Sequence, residues 1–303
     1  MLASISTSTK KQYQGSLDKW SKYCVDSNTD PLHPSVSDVL RFLKISFDIG
    51  SSYGTLNTIR SAISLISSER IGSHSLITRF LKGCYNLKPS KPKYSATWDV
   101  NIVLDYLDDM PETKLLSLKD LTMKTVTLLA LVSAQRAQTL SILDLHDVKY
   151  TNAGIEIIVT GRTKTSAPGL PCQVIKLPEC KERPNLCIYR CLLYYMEVTQ
   201  QIRGNNTRVF LSTKSPHNPV TTATLSRWIK NTLKVAGIDT NVFSDHSTRH
   251  ASTSAALDRG VDLEIIKKAA GWSEKSRVFF DFYNRPIINN NNISFAEAIL
   301  IKF

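Results

Sequence analysis

One stretch limits every fold this chain can adopt. Lys88-Pro89-Ser90-Lys91-Pro92-Lys93-Tyr94 holds three lysines and two prolines and has no apolar periodicity. Proline lacks an amide proton and drives the residue before it towards extended backbone, so neither a helix nor a central strand runs through this stretch. The chain is therefore divided into a short leading part and a long trailing part, each needing its own core. We expect a helical domain over 1–88, a basic linker over 89–97 and a second domain over 98–303.

The leading part reads as helices. Residues 1–10 are rich in Ser and Thr and read as frayed. Over 11–25, Tyr13, Leu17, Trp20, Tyr23 and Cys24 share one helical face. Ser35 offers an N-cap to a helix bearing Val36, Val39, Leu40, Leu43 and Phe47. A third helix carries Leu56, Ile59, Ile63 and Ile66, and a fourth covers 75–87. In the trailing part helices are expected at 99–110, 118–134, 185–202, 222–236, 247–259, 262–270 and 275–283. The β signal is confined to 155–160 and 173–177, which pair antiparallel across 161–171. Four asparagines, Asn289–Asn292, precede a last helix at 294–303 with Phe295, Ala298, Ile299 and Phe303 on one face. The fold class is mainly α with a small antiparallel β-sheet, in two domains.

The formal net charge is +12 and the isoelectric point about 9.4. An excess of this size points to a polyanionic partner, nucleic acid first. No apolar run approaches the roughly 20 residues that a membrane span needs, so we expect a soluble, intracellular chain without a membrane partner. Six cysteines include no Cys-x2-Cys pair, and no histidine lies among the last four, so a metal site is not expected. Cys187 and Cys191 lie four apart in an apolar run and read as buried free thiols.

The chemistry is concentrated late in the chain. His246-Ser247-Thr248-Arg249 is followed by Gly271-Trp272 and by Tyr283, which is the one tyrosine after Tyr195. Cleaving a phosphodiester without a metal needs a nucleophile, positive charge on the non-bridging oxygens and a proton for the leaving oxygen. Arg249 lies one helical turn from His246 and can grip two phosphate oxygens. Arg136 sits between two apolar runs, in Ser133-Ala134-Gln135-Arg136-Ala137-Gln138, where a charge is either paired or functional. Lys164 lies at the hairpin tip in Gly161-Arg162-Thr163-Lys164-Thr165-Ser166 and could give up a proton when desolvated. Taken singly, Arg136 reads as a buried ion pair and Lys164 as a solvated charge.

Taken in order, Arg136, Lys164, His246-x-x-Arg249, Gly271-Trp272 and Tyr283 resemble the active site of phage-integrase-type tyrosine recombinases. The resemblance covers nearly the whole chain. It implies a helical core-binding domain that contacts DNA, followed by an α+β catalytic domain. Tyr283 is then the nucleophile that forms a 3′-phosphotyrosyl link, and Arg136 and Arg249 clamp the phosphate. Lys164 protonates the leaving 5′-oxygen, His246 assists proton transfer, and Trp272 supplies an indole N–H where many relatives have histidine. No cofactor, ATP or metal is implied. The partners implied are double-stranded DNA and a homotetramer, with the helix at 294–303 exchanged in trans between protomers. Ser-Ala-Gln-Arg at Arg136, Lys-Thr-Ser at Lys164 and Phe-Tyr-Asn-Arg-Pro at Tyr283 are similar to recombinases of Crypton-type and DIRS-type mobile elements. That implies element integration or excision in a nucleus.

Two departures stand out. Many relatives have an acidic residue three positions after the first arginine, where this chain has Thr139, so Arg136 would need support from Gln138 or Asp144. Arg162 competes with Lys164 as the hairpin cation. His250 fails the His-x-x-Arg spacing and reads as structural or as a secondary contact. Two other functions stay open: a DNA-binding protein that has lost the reaction, and a type IB topoisomerase.

Overall fold

The computed structural model describes residues 5–68, 70–90, 93–273 and 276–288. It divides into two compact units, 1–92 and 93–303. Among the described residues the first contains four α-helices: α1 (Thr7–Ser27), α2 (Val36–Asp48), α3 (Tyr53–Ile66) and α4 (Ser75–Leu87). Each begins where a side chain can take up an orphaned amide. Ser35 and Asp38 form a reciprocal capping box on α2, and Ser52 accepts from Thr55 N on α3. Helix α1 starts at Thr7, earlier than expected. Ser6 Oγ accepts from Thr9 N at 3.1 Å, so the Ser/Thr-rich stretch acts in part as a cap. The four apolar faces meet around Trp20, Leu43, Leu56, Ile63 and Ile77, all fully buried. The Trp20 indole donates to Pro31 O at 3.2 Å, which ties α1 to the turn before α2.

The second unit is built on α6 (Leu118–Ser133), with α5 (Val100–Asp108) before it and the five-residue α7 (Ala137–Ser141) after it. Helix α6 is buried nearly all round, as a helix enclosed by its neighbours should be. Around it lie α8 (Ile188–Thr199), α9 (Thr222–Val235) and α10 (Ser247–Asp258), followed by α11 (Leu263–Ala270). The sheet has three antiparallel strands in the order β1 (Val148–Thr151), β2 (Gly154–Val159) and β3 (Gln173–Pro178). The Val159↔Gln173 pair closes the expected hairpin and leaves 160–172 as its tip. β1 was not anticipated. It is an edge strand whose residues Lys149, Tyr150 and Thr151 are exposed, so it carries no apolar alternation to read.

The helix expected at 275–283 is, in its described part, a π-helical turn over Phe279–Tyr283. Asn284 N donates to Phe279 O at 2.7 Å, closing the wide turn. Phe279 and Tyr283 are buried while Phe280 and Phe282 stay exposed. The segment after the turn is pinned at both edges of Thr97: Thr97 N donates to Pro286 O and Ile288 N donates to Thr97 O. Cys187 and Cys191 are buried free thiols, as expected. The helix at 294–303 lies outside the described residues. Among the described residues no helix is long and apolar enough to cross a membrane, and no His/Cys/Asp/Glu group could hold a metal ion.

Candidate active site

His246 ends the loop before α10, and the start of that helix is held from outside. The Trp98 indole donates to Ser247 Oγ at 2.9 Å, and Ser247 Oγ donates to Ser244 O at 2.6 Å. His246 Nε2 lies 2.8 Å from the Tyr283 hydroxyl. From the other side Ser254 Oγ donates to Tyr283 O at 2.9 Å and accepts from Arg285 N at 3.1 Å. Helix α10 thus grips Tyr283 by its hydroxyl at one end and by its backbone two turns later.

Arg249 is fully buried, with no carboxylate against it among the described residues. It donates from Nη1 to Ala134 O at 2.7 Å and from Nη2 to Ala270 O at 2.6 Å. Ala134 follows the last turn of α6 and Ala270 ends α11, so the guanidinium caps two helix C-termini, whose partial negative charge suits a cation. The Trp272 ring centroid lies 4.3 Å from its Cζ and the Tyr283 centroid 5.3 Å, adding two π faces. Burial, then the charge of Arg136, pushes its pKa down to about 9. Its Nε–H and the Trp272 Nε1–H are both buried without a partner among the described residues. Unpartnered buried donors are costly, and two of them beside one hydroxyl suit an anion.

Arg136 is half-buried at the start of α7, and its side chain makes no hydrogen bond or ion pair among the described residues. Neither expected support reaches it. Gln138 points to solvent, and the Asp144 carboxylate accepts from Thr207 Oγ1 (2.6 Å) and His146 N (3.1 Å) and faces Arg208 at 3.8 Å. Lys164 is exposed on the hairpin tip, but its charge reaches His246, as do those of Arg136 and Arg249. Of the six residues read from the sequence, His246, Arg249, Trp272 and Tyr283 are brought together in the second unit, and the charges of Arg136 and Lys164 act on His246.

Other residues there had not been singled out. Gln135 Nε2 (2.7 Å) and Gln173 Nε2 (2.9 Å) both donate to Ala269 O. They join the α6–α7 corner, the base of the hairpin and the end of α11, the elements that carry Arg136, Lys164 and Trp272. Gly271 suits that junction. Its φ is +66°, and a Cβ would stand 2.5 Å from Gln173 Oε1. His250, expected as structural or as a secondary contact, stacks on Tyr283; its i, i+4 spacing from His246 puts it on the same face of α10.

Both histidines are held below the usual imidazole value of 6.5. For His246 the causes are burial, then Arg136 and Arg249; for His250, pushed down to about 4, they are burial, then His246, Arg285 and Arg249. The unfolded chain then binds more protons than the folded one in this window, so stability is present above pH 6.5 and lost as pH falls. We expect the melting temperature to drop between pH 6.5 and about 4, and His250→Phe to flatten that drop. Parallel curves for the two proteins would contradict the assignment.

The phage integrase family model matches residues 103–286, a span containing all six candidates. A search of curated protein sequences finds no match. Similar solved structures include the XerH site-specific recombinase in a post-cleavage complex on palindromic difH substrate. There the TM-score is 0.61 at 16% identity, over 88% of this chain and 73% of that one. A lambda integrase tetramer bound to a Holliday junction gives 0.58 at 15% identity, over 96% and 75% of the two chains. The Tn1549 transposon integrase in complex with circular intermediate DNA gives 0.56 at 15%, over 89% and 85%. At these identities the likeness is one of fold.

Proposed function

The chain belongs to the phage integrase family, and from that premise we propose that it cuts and rejoins DNA strands through a covalent link between Tyr283 and a 3′-phosphate. The observation that carries this reading is the Tyr283 hydroxyl held 2.8 Å from His246 Nε2, beside two unpartnered buried donors, with the charges of Arg136, Arg249 and Lys164 acting on that histidine. Tyr283 Oη attacks phosphorus and the P–O5′ bond breaks. The phenol proton passes to His246, which is available because burial and its cationic neighbours keep the imidazole neutral. Lys164 delivers a proton to the leaving 5′-oxygen. Arg136, Arg249 and the Trp272 indole hold the non-bridging oxygens as charge builds on them. Rejoining is the reverse: a 5′-hydroxyl attacks phosphorus and the P–Oη bond breaks. Arg249 is wholly covered in the free chain, so phosphate engagement accompanies an opening of the aromatic cover over it.

The reading extends to double-stranded DNA as substrate and to a tetrameric assembly, in keeping with a relative of the same fold seen as a tetramer on a Holliday junction. It also extends to integration or excision of a mobile element in a nucleus, on the strength of the sequence around Arg136, Lys164 and Tyr283. The test uses nicked suicide DNA in EDTA, resolved on a denaturing gel. A covalent protein–DNA band supports the reading, while retarded DNA on a native gel with no covalent band moves it to DNA binding alone. Within that assay Lys164→Ala should slow cleavage by about 10²-fold or more, as loss of a general acid does. A 5′-bridging phosphorothiolate should restore it, because a thiolate leaves without a proton. Arg162→Ala should cleave both substrates at nearly the normal rate. The opposite pattern would make Arg162 the acid.

A further inference from the structure

Tyr283 lies against a second histidine for which the reaction above has no use. The His250 ring is stacked on the phenol with centroids 4.3 Å apart and planes 18° from parallel. On its other sides it meets His246 edge-on at 5.6 Å and Tyr94 edge-on at 5.3 Å. Tyr94 is braced in turn by Phe243, 5.0 Å away. We propose that His250 is a positioning residue for strand cleavage, a flat platform that fixes the plane of the Tyr283 ring so that its hydroxyl meets His246. The inference rests on Tyr283 being the nucleophile.

Three observations favour a platform over a proton carrier. His250 Nδ1 is buried with no partner among the described residues and the hydrogen bond the ring does make is to the Phe282 main chain, so it is not bonded to His246 or Tyr283 as a relay would be. Burial, His246, Arg285 and Arg249 keep the imidazole neutral well below pH 7, so it has no proton to give at neutral pH. The contact to Tyr283 is face to face, with no hydrogen bond between the rings. A neutral flat face suits its neighbour: it adds no further positive charge beside Arg249 and Arg285, and offset aromatic faces attract. The need for a platform follows from the local backbone. Tyr283 ends a π-helical turn flanked by exposed Phe280 and Phe282, so its side chain is not enclosed by its own helix. Placement of the attacking atom has a large effect on rate, since a misplacement of about 1 Å can cost on the order of 10²-fold.

The test compares His250→Leu, which fills similar space without a flat face, with His250→Phe, which keeps one. Both are measured beside the unaltered protein for the single-turnover rate of covalent adduct formation on suicide DNA and for DNA affinity. We expect His250→Leu to form adduct about tenfold or more slowly, with unchanged DNA affinity and no rescue by a 5′-bridging phosphorothiolate. His250→Phe should stay within about threefold of the unaltered rate. A role confined to folding would shift DNA affinity and melting together with rate. Equal rates for the three proteins would overturn the proposal, and so would equal impairment of Leu and Phe, which would assign the effect to a ring nitrogen. No adduct from the unaltered protein would instead overturn the proposed function itself.

Discussion

Tyr283→Phe should form no detectable covalent adduct with suicide DNA, a loss of more than about 10⁴-fold, because nothing else near the phosphate replaces the missing oxygen. The same variant should bind DNA within about twofold of normal, since most affinity comes from many backbone contacts distributed over the protein. It should also fold. The phenylalanine ring keeps the stack on His250 and the contact to Trp272, whose centroid lies 4.7 Å away. The hydroxyl's contacts to His246 and Arg249 are lost, about 1 kcal/mol for a typical hydrogen bond. Parallel adduct gels, binding titrations and melts separate these quantities. Loss of binding together with loss of adduct would mean that Tyr283 matters to the fold and would leave the nucleophile unassigned.

The second large effect distinguishes the two arginines. Arg249→Ala should lose cleavage and stability together, whereas Arg136→Ala should lose cleavage alone. Removing Arg249 orphans the carbonyls of Ala134 and Ala270. Each orphaned buried group costs about 1–3 kcal/mol, partly offset by relief of a buried charge that has no carboxylate beside it among the described residues. A net loss of about 2 kcal/mol is expected, visible as a lowered melting temperature. The Arg136 side chain is half-buried with no hydrogen bond or ion pair among the described residues, so truncating it orphans no partner there. Either variant should cut about 10²- to 10³-fold more slowly, the usual cost of losing one preorganised charge donor. If Arg136→Ala melts well below the unaltered protein, Arg136 is a structural residue and the clamp is misassigned.

Where local chemistry governs an element, the sequence was a sufficient guide. Helix α4 occupies the residues its periodicity marks, Ser35 caps α2, and the β2–β3 hairpin closes where two β-branched runs face each other. Its limits were equally physical. Strand β1 offers the core almost nothing, so its pairing with β2 is written in β2 rather than in itself. The π-helical turn carries aromatics at 279, 280, 282 and 283, a density that fits several helical periods equally well. The six candidate side chains were legible as an ordered set, but their partners were not. Arg249 is held by two main-chain carbonyls from distant helix ends, which leave no trace in side-chain pattern. Asp144 looked available to Arg136, yet it turns to Thr207 and Arg208 across the loop before α9. The stack of His250 on Tyr283 depends on a segment 33 residues later returning to α10.

The most direct test of the account is to identify the residue that carries the DNA. The trapped adduct would be digested with nuclease and trypsin and the nucleotide-bearing peptide sequenced by mass spectrometry. Cleavage after Arg277 and Lys302, with the Arg285–Pro286 bond resistant, releases residues 278–302, in which Tyr283 is the one tyrosine. The account predicts a 3′-phosphonucleotide on Tyr283 in that peptide. A nucleotide on any other residue, Tyr94 included, would contradict it.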